Sequence, residues 1–136
     1  MAYQGYLLKV GGVTVPLTTI KYETYKITPD QRLDFNSTRS TDGWLHRNAL
    51  QHTASKIEYE TPPMNSNQQA QLMNIFRNAW TSYAERKCMV EYFDPEINGY
   101  KSGTFYMPDI QWIIRNVDNE RGLVNYNQCR IAFIEY

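Results

Sequence analysis

The side chains in this sequence that could carry chemistry are few, and their spacing assembles no catalytic or metal-binding set. His46 and His52 stand six residues apart and could share one face of a strand. A closed metal site needs further ligands, and neither Cys88 nor Cys129 lies at ligand spacing from them. A cysteine nucleophile needs an adjacent base, and neither cysteine has a histidine in its local sequence. Both cysteines fall in strand-like segments, so buried free thiols are expected rather than a disulfide. Glu91, Asp94, Glu96 and Asp109 could supply the paired carboxylates of a glycosidase, which must face one cleft with one pKa raised. These acids sit beside turn residues or on the wet side of strands, and solvated surface roles are expected. The sequence contains no glycine-rich phosphate loop, nucleophile elbow or HExxH helix, and Gly11-Gly12 is a lone pair. The expectation is no enzyme, no cofactor and no metal.

The elements that would have to position such groups are better marked. At 136 residues the chain is expected to be one domain, with a core that needs neither disulfides nor metal. Fourteen basic and fourteen acidic side chains cancel, which removes the electrostatic footprint of a dedicated nucleic-acid binder. No apolar run approaches the ~18 residues that span a bilayer. The opening MAYQGYLLKV has neither a basic n-region nor an apolar h-region, which predicts synthesis for a reducing cytosol without secretion. Aromatic residues make up 14% of the chain, which suits strands and interface cores.

Gly5–Val10 and Val13–Pro16 flank Gly11-Gly12 as a two-residue hairpin. Thr18–Thr28, β-branched and aromatic, predicts a strand that Pro29 stops. Thr53–Thr61 alternates as a half-buried strand, with Ser55, Ile57, Tyr59 and Thr61 on one face. One helix is expected over about 66–83, opened by a Ser66/Gln69 capping box. Its apolar stripe is Ala70, Met73, Phe76, Trp80 and Tyr83, supported by Leu72, Ile75 and Ala79. Strands follow at Cys88–Phe93, Ser102–Met107 and Ile110–Val117, with Leu123–Tyr136 as a last strand. This order predicts a mainly β (α+β) fold, an antiparallel β-sandwich or half-barrel with one flanking helix.

Between the early strands lies Asp30–His52, DQRLDFNSTRSTDGWLHRNALQH. A connection this long is normally functional or disordered. Leu33, Phe35, Trp44 and Leu50 argue against disorder, and Asp42-Gly43 suits a hairpin tip. The segment, about 30–53, therefore reads as a long β-hairpin arm. An isolated two-stranded hairpin is marginal in water, so it either folds back on its own sheet or docks on a neighbour. The expected contact residues are Arg39, Trp44, His46, Arg47 and Leu50.

The layout resembles the tail-tube fold of bacterial viruses, related to distal tail proteins and to tubes of contractile injection systems. MAYQGYLLKVGGVTVP, HTASKIEYETP, YKSGTFYMPDIQW and RIAFIEY are also similar to short tail-module proteins of phages and prophages of Gram-positive bacteria. That resemblance implies a structural protein of the virion tail, made in the host cytoplasm, in the tube, distal tail or tip. It implies hexameric rings of the chain itself, joined to other phage tail proteins, with inner sheets merging and the arm linking subunits. It implies no sequence-specific nucleic-acid partner and no membrane. With a neutral chain, a DNA-repelling lumen would need local acids such as Glu58 and Glu60. Rival readings are a small ligand- or carbohydrate-binding β-domain stacking on Trp44 and Trp112, and a hydrolase using Glu91 or Asp109.

Overall fold

A computed structural model describes the backbone of residues 3–34, 38–39, 45–46 and 49–136, and the side chains of residues 3–31 and 54–136. In chain order the strands are β1 (Leu8–Val10), β2 (Val13–Thr14), β3 (Lys26–Asp34), β4 (Thr38–Arg39), β5 (Leu45–His46), β6 (Ala49–Glu60) and β7 (Met64–Asn65). Helix α1 (Ser66–Ala79) follows, then β8 (Lys87–Asp94), β9 (Gly99–Tyr106), β10 (Ile114–Asp118), β11 (Leu123–Tyr126) and β12 (Arg130–Glu135). A seven-stranded antiparallel sheet has the order β2-β1-β8-β9-β12-β6-β3, and a three-stranded sheet has the order β10-β11-β7. The large sheet is open, with β2 and β3 as its edges.

Strand alternation sets the core. Leu8, Val10, Cys88, Val90, Tyr92, Phe105, Ile57, Tyr59, Ile131 and Phe133 point to one face, where Leu72, Met73 and Phe76 of α1 and Met64 of β7 cover them. Phe76 meets Phe133 edge to face at 5.7 Å, joining helix to sheet. Gly11 and Gly12, at φ +59° and +82°, make the hairpin turn expected between β1 and β2. A Cβ on Gly11 would also lie 2.6 Å from Ala79 Cβ, so the helix end needs glycine there.

Several expectations are corrected. Thr18–Thr28 is not one strand: Leu17–Thr19 and Tyr22–Thr24 are 3-10 turns. Thr19 and Thr24 donate their hydroxyls back to the carbonyls of Pro16 and Lys21, both at 2.7 Å, and this local bonding competes with extension. Strand β3 then runs through Pro29, because the register with β6 shifts between Thr28 and Gln31. On an edge strand, at a bulge, proline's missing N–H costs no ladder bond.

The helix begins one residue earlier in its capping and ends sooner than expected. Asn65 is the N-cap: its Oδ1 accepts from Gln68 N at 2.9 Å, and Gln68 Oε1 accepts from Asn65 N at 3.1 Å. Ser66 Oγ instead accepts from Val124 N, tying the helix start to β11. The helix stops at Ala79, where Trp80 turns extended. Tyr83 is therefore 78% exposed in a loop closed by the Thr81 N to Lys87 O bond. Ala70 is exposed too, since at the helical period it stands roughly 120° from the centre of the buried arc. Finally, Leu123–Tyr136 divides into β11 and β12 in different sheets, broken where Cys129 N donates to Thr61 Oγ1 and Asn127 N to Ile113 O.

Candidate functional site

The arm is a continuation of the large sheet's edge. Beyond the bulge, β3 and β6 stay paired through Gln31↔Ala54, Arg32↔Thr53 and Asp34↔Ala49. Further out, β4 and β5 pair through Thr38↔His46 and Arg39↔Leu45. This backbone agrees with the hairpin reading. Of the expected contact residues, Trp44 and Arg47 lie outside the described residues, and Arg39, His46 and Leu50 are described in backbone alone. His52 is likewise described without its side chain.

Where the arm leaves the body, the inner face of the sheet is polar instead of apolar. Pro29 is buried there, and Asp30 takes the left-handed region at φ +49°, which aspartate tolerates better than most residues. The Asp30 amide donates to Ser55 Oγ at 2.9 Å, and the Ser55 amide donates to Glu135 Oε1 at 2.8 Å. Ser55 Oγ also shares a hydrogen bond with the Tyr92 hydroxyl at 2.9 Å. Lys101, opposite Tyr92 on β9, reaches two carboxylates. Its ammonium pairs with Asp30 Oδ2 and stands 3.3 Å from Asp94 Oδ2, an ionic contact without hydrogen-bond alignment. These carboxylates, Asp30 foremost, hold the Lys101 ammonium well above the usual lysine range. Asp94 is 0% exposed, and its Oδ1 caps the following turn by accepting from Glu96 N at 2.9 Å. Gly103 makes room for this cluster, because a Cβ there would strike the Glu135 carboxylate.

This corrects the expectation that the turn acids are all solvated. Asp94 is buried because an inward-facing lysine compensates it, a pairing that the spacing of the sequence does not announce. The other acids are placed apart. Glu91 lies three residues before Asp94 on β8 and so faces the opposite side of the sheet. It accepts a hydrogen bond from the Tyr6 hydroxyl at 2.5 Å, which helps push the Tyr6 pKa up to about 12. Glu96 and Asp109 are exposed. Strand geometry thus puts Glu91 and Asp94, the two acids of β8, on opposite faces of the sheet.

Both cysteines are free and buried, as expected. Burial pushes the Cys88 thiol up to about 11, so it stays protonated at neutral pH. Cys129 Sγ lies 3.3 Å from Asn127 O. Trp112, offered as a stacking platform, is half-buried against the core and tilted on Tyr126 at 5.7 Å. Glu58 and Glu60, the candidate lumen acids, stand on the outer face of β6. Glu58 is not free, since Arg130 Nη2 lies 2.6 Å from its Oε2 and Lys56 at 3.8 Å.

The clearest exposed apolar feature is β10. Ile114 (60%) and Val117 (56%) on this edge of the three-stranded sheet, and Ile113 (47%) just before it, are open to solvent. Sequence periodicity placed a strand here but gave no sign that it would be uncovered. Among the described residues, no group of histidine, cysteine and acidic side chains could hold a metal ion.

Comparison with known proteins follows this geometry. Over residues 1–136 the sequence matches DUF6711, a family of unknown function. No curated protein matches it. The fold is similar to a chain in the tail of an empty gene transfer agent particle, computed with helical refinement and C6 symmetry. The TM-score is 0.51 at 17% identity, covering 99% of this chain and 95% of that one. A chain of the native gene transfer agent virion gives the same TM-score at 16% identity, again covering 99% and 95%. The antiparallel sheets with one helix are thus a fold found in phage-like tail particles.

Proposed function

The chain belongs to DUF6711, a family of unknown function, and from the fold it shares with chains of phage-like tail particles we propose that it is a structural, non-enzymatic component of a phage-type tail. It acts by self-assembly into a ring, at the tube, the distal tail or the tip. Its partners are further copies of itself, six to a ring, and other phage tail proteins. It engages no specific nucleic-acid sequence and no membrane, and it resides in the virion tail after assembly in the host cytoplasm. The whole described chain works as a single tail-tube-like domain. The observation that carries this reading is the coverage of 99% of this chain and 95% of a chain from a tail with C6 symmetry.

Two surfaces supply the contacts. The arm contributes Arg39, Trp44, His46, Arg47 and Leu50, with Trp44 as the anchor. Aromatic and arginine anchors are the residues that dominate protein interfaces. Edge strand β10 contributes Ile114 and Val117, whose exposure on an unpaired edge would otherwise invite aggregation. Head-to-tail contacts between different patches close into a ring when the rotation per subunit permits. Sedimentation over a range of concentrations, with detection of the protein in purified tails, tests the reading. Association into a discrete ring-sized species, weakened by Trp44→Ala, is expected. A strictly monomeric protein absent from purified tails overturns it.

A further inference from the structure

We propose that Lys101 is the positioning residue of the arm: reaching from β9 to Asp30 at the bulge, it pins the direction in which the β3–β6 ladder leaves the body. The bulge is a joint in that ladder. On its body side Thr28 pairs with Lys56, and on its arm side Gln31 pairs with Ala54. A bulge leaves residues unpaired and bends the strand, so pairing alone fixes the exit angle poorly there. Three polar groups of the body converge on the joint itself, at Asp30 and Ser55, between those two pairs. Lys101 of β9 pairs with Asp30, Glu135 of β12 accepts from the Ser55 amide, and Tyr92 of β8 meets the Ser55 hydroxyl.

Neutralising the buried Asp94 would by itself account for a lysine at this place. It does not account for Asp30, whose side chain is 32% exposed and could be solvated without a partner ion. Asp30 instead turns its carboxylate inward from a left-handed backbone, onto the cation that the body already holds. Lys101 therefore has two tasks: it compensates Asp94 within the body and fastens the arm root to it. The consequence for assembly rests on the tail reading, since a preset exit angle spares the arm an ordering cost when it meets a neighbour. The joint itself does not rest on it.

The test uses Asp30→Asn. Asparagine also accepts the left-handed backbone, and the change keeps the Asp94–Lys101 pair and the amide donor to Ser55 while removing the ion pair with Lys101. Hydrogen exchange is read in dispersed protein, so it is decided whether or not rings form. The amides of residues 30 and 55 should exchange up to about fivefold faster, the scale of a partly exposed ion pair. Those of the β8–β9 ladder should be unchanged. The double variant Lys101→Met with Asp94→Asn should reproduce the local effect, and where it does not fold, Asp30→Asn decides alone. Unchanged exchange at residues 30 and 55 overturns the proposal. So does a uniform rise across β8–β9, which would make Asp30 a residue of body stability instead.

Discussion

Asp94 of β8 is buried against Lys101 of the facing strand β9, a pair made across the sheet instead of along the chain. A cross-strand pair has no fixed sequence separation, so no local spacing could have revealed it. The cysteines were legible, since strand-like surroundings imply burial. With both buried and Cys88 shifted up to about 11, the native protein should not react with a thiol-directed dye at neutral pH, and both sites should label on unfolding. Labelling of the folded chain would show that the core opens. Glu58 gives a pH prediction. The Arg130 hydrogen bond, helped by Lys56, lowers its pKa below the ordinary 4.5. Its contribution is therefore fully present above pH 4.5 and lost as pH falls through the lowered value. Solvent screening limits it to less than about 1 kcal/mol. Urea titrations of the wild type and Arg130→Gln should differ by that amount at neutral pH and converge in acid.

Elements were legible where hydrophobic period and turn chemistry agreed. The β1–β2 hairpin, α1 and the β8–β9 hairpin stand close to their expected places. They failed where side chains bond locally, as at Thr19 and Thr24, or where a strand changes sheets without glycine or proline, as at Asn127–Cys129. The capping box was read one residue late because Ser66 has the right chemistry but spends its hydroxyl on Val124. Asn65→Ala should cost about 1 kcal/mol in urea unfolding, whereas a full loss of folding or no effect would contradict the cap assignment. Gly11→Ala should cost at least about 1–2 kcal/mol from the left-handed backbone alone, with more from the contact with Ala79. The exposure of β10 was not legible, because its apolar residues match those of any covered strand. In a ring-forming subunit Ile114→Lys should weaken association while leaving the unfolding midpoint nearly unchanged; a large loss of stability would mean that Ile114 serves the chain's own core.

At the scale of the whole molecule, the order of elements was enough to predict antiparallel sheets with one helix. The length of the Asp30–His52 connection also singled out the arm, and the structure continues the sheet into it, with a 12-residue β6 pairing with β3 beyond the bulge. Order did not decide between a sandwich and a half-barrel. The result is an open seven-stranded sheet backed by a helix and a three-stranded sheet, and this has the fold of chains in gene transfer agent particles. The proposed ring would use both distinctive features, an arm extended from one sheet edge and an uncovered apolar strand on another. Strand β10 gives no residue to the buried core of the described chain, which draws on β1, β6, β7, β8, β9, β12 and α1. Electron cryo-microscopy of purified tails carrying this protein tests the central claim most directly. The account predicts rings of this chain with the sixfold symmetry of the similar tail, each arm lying on a neighbouring subunit. Isolated copies with the arm folded onto their own sheet, or tails without the protein, would contradict it.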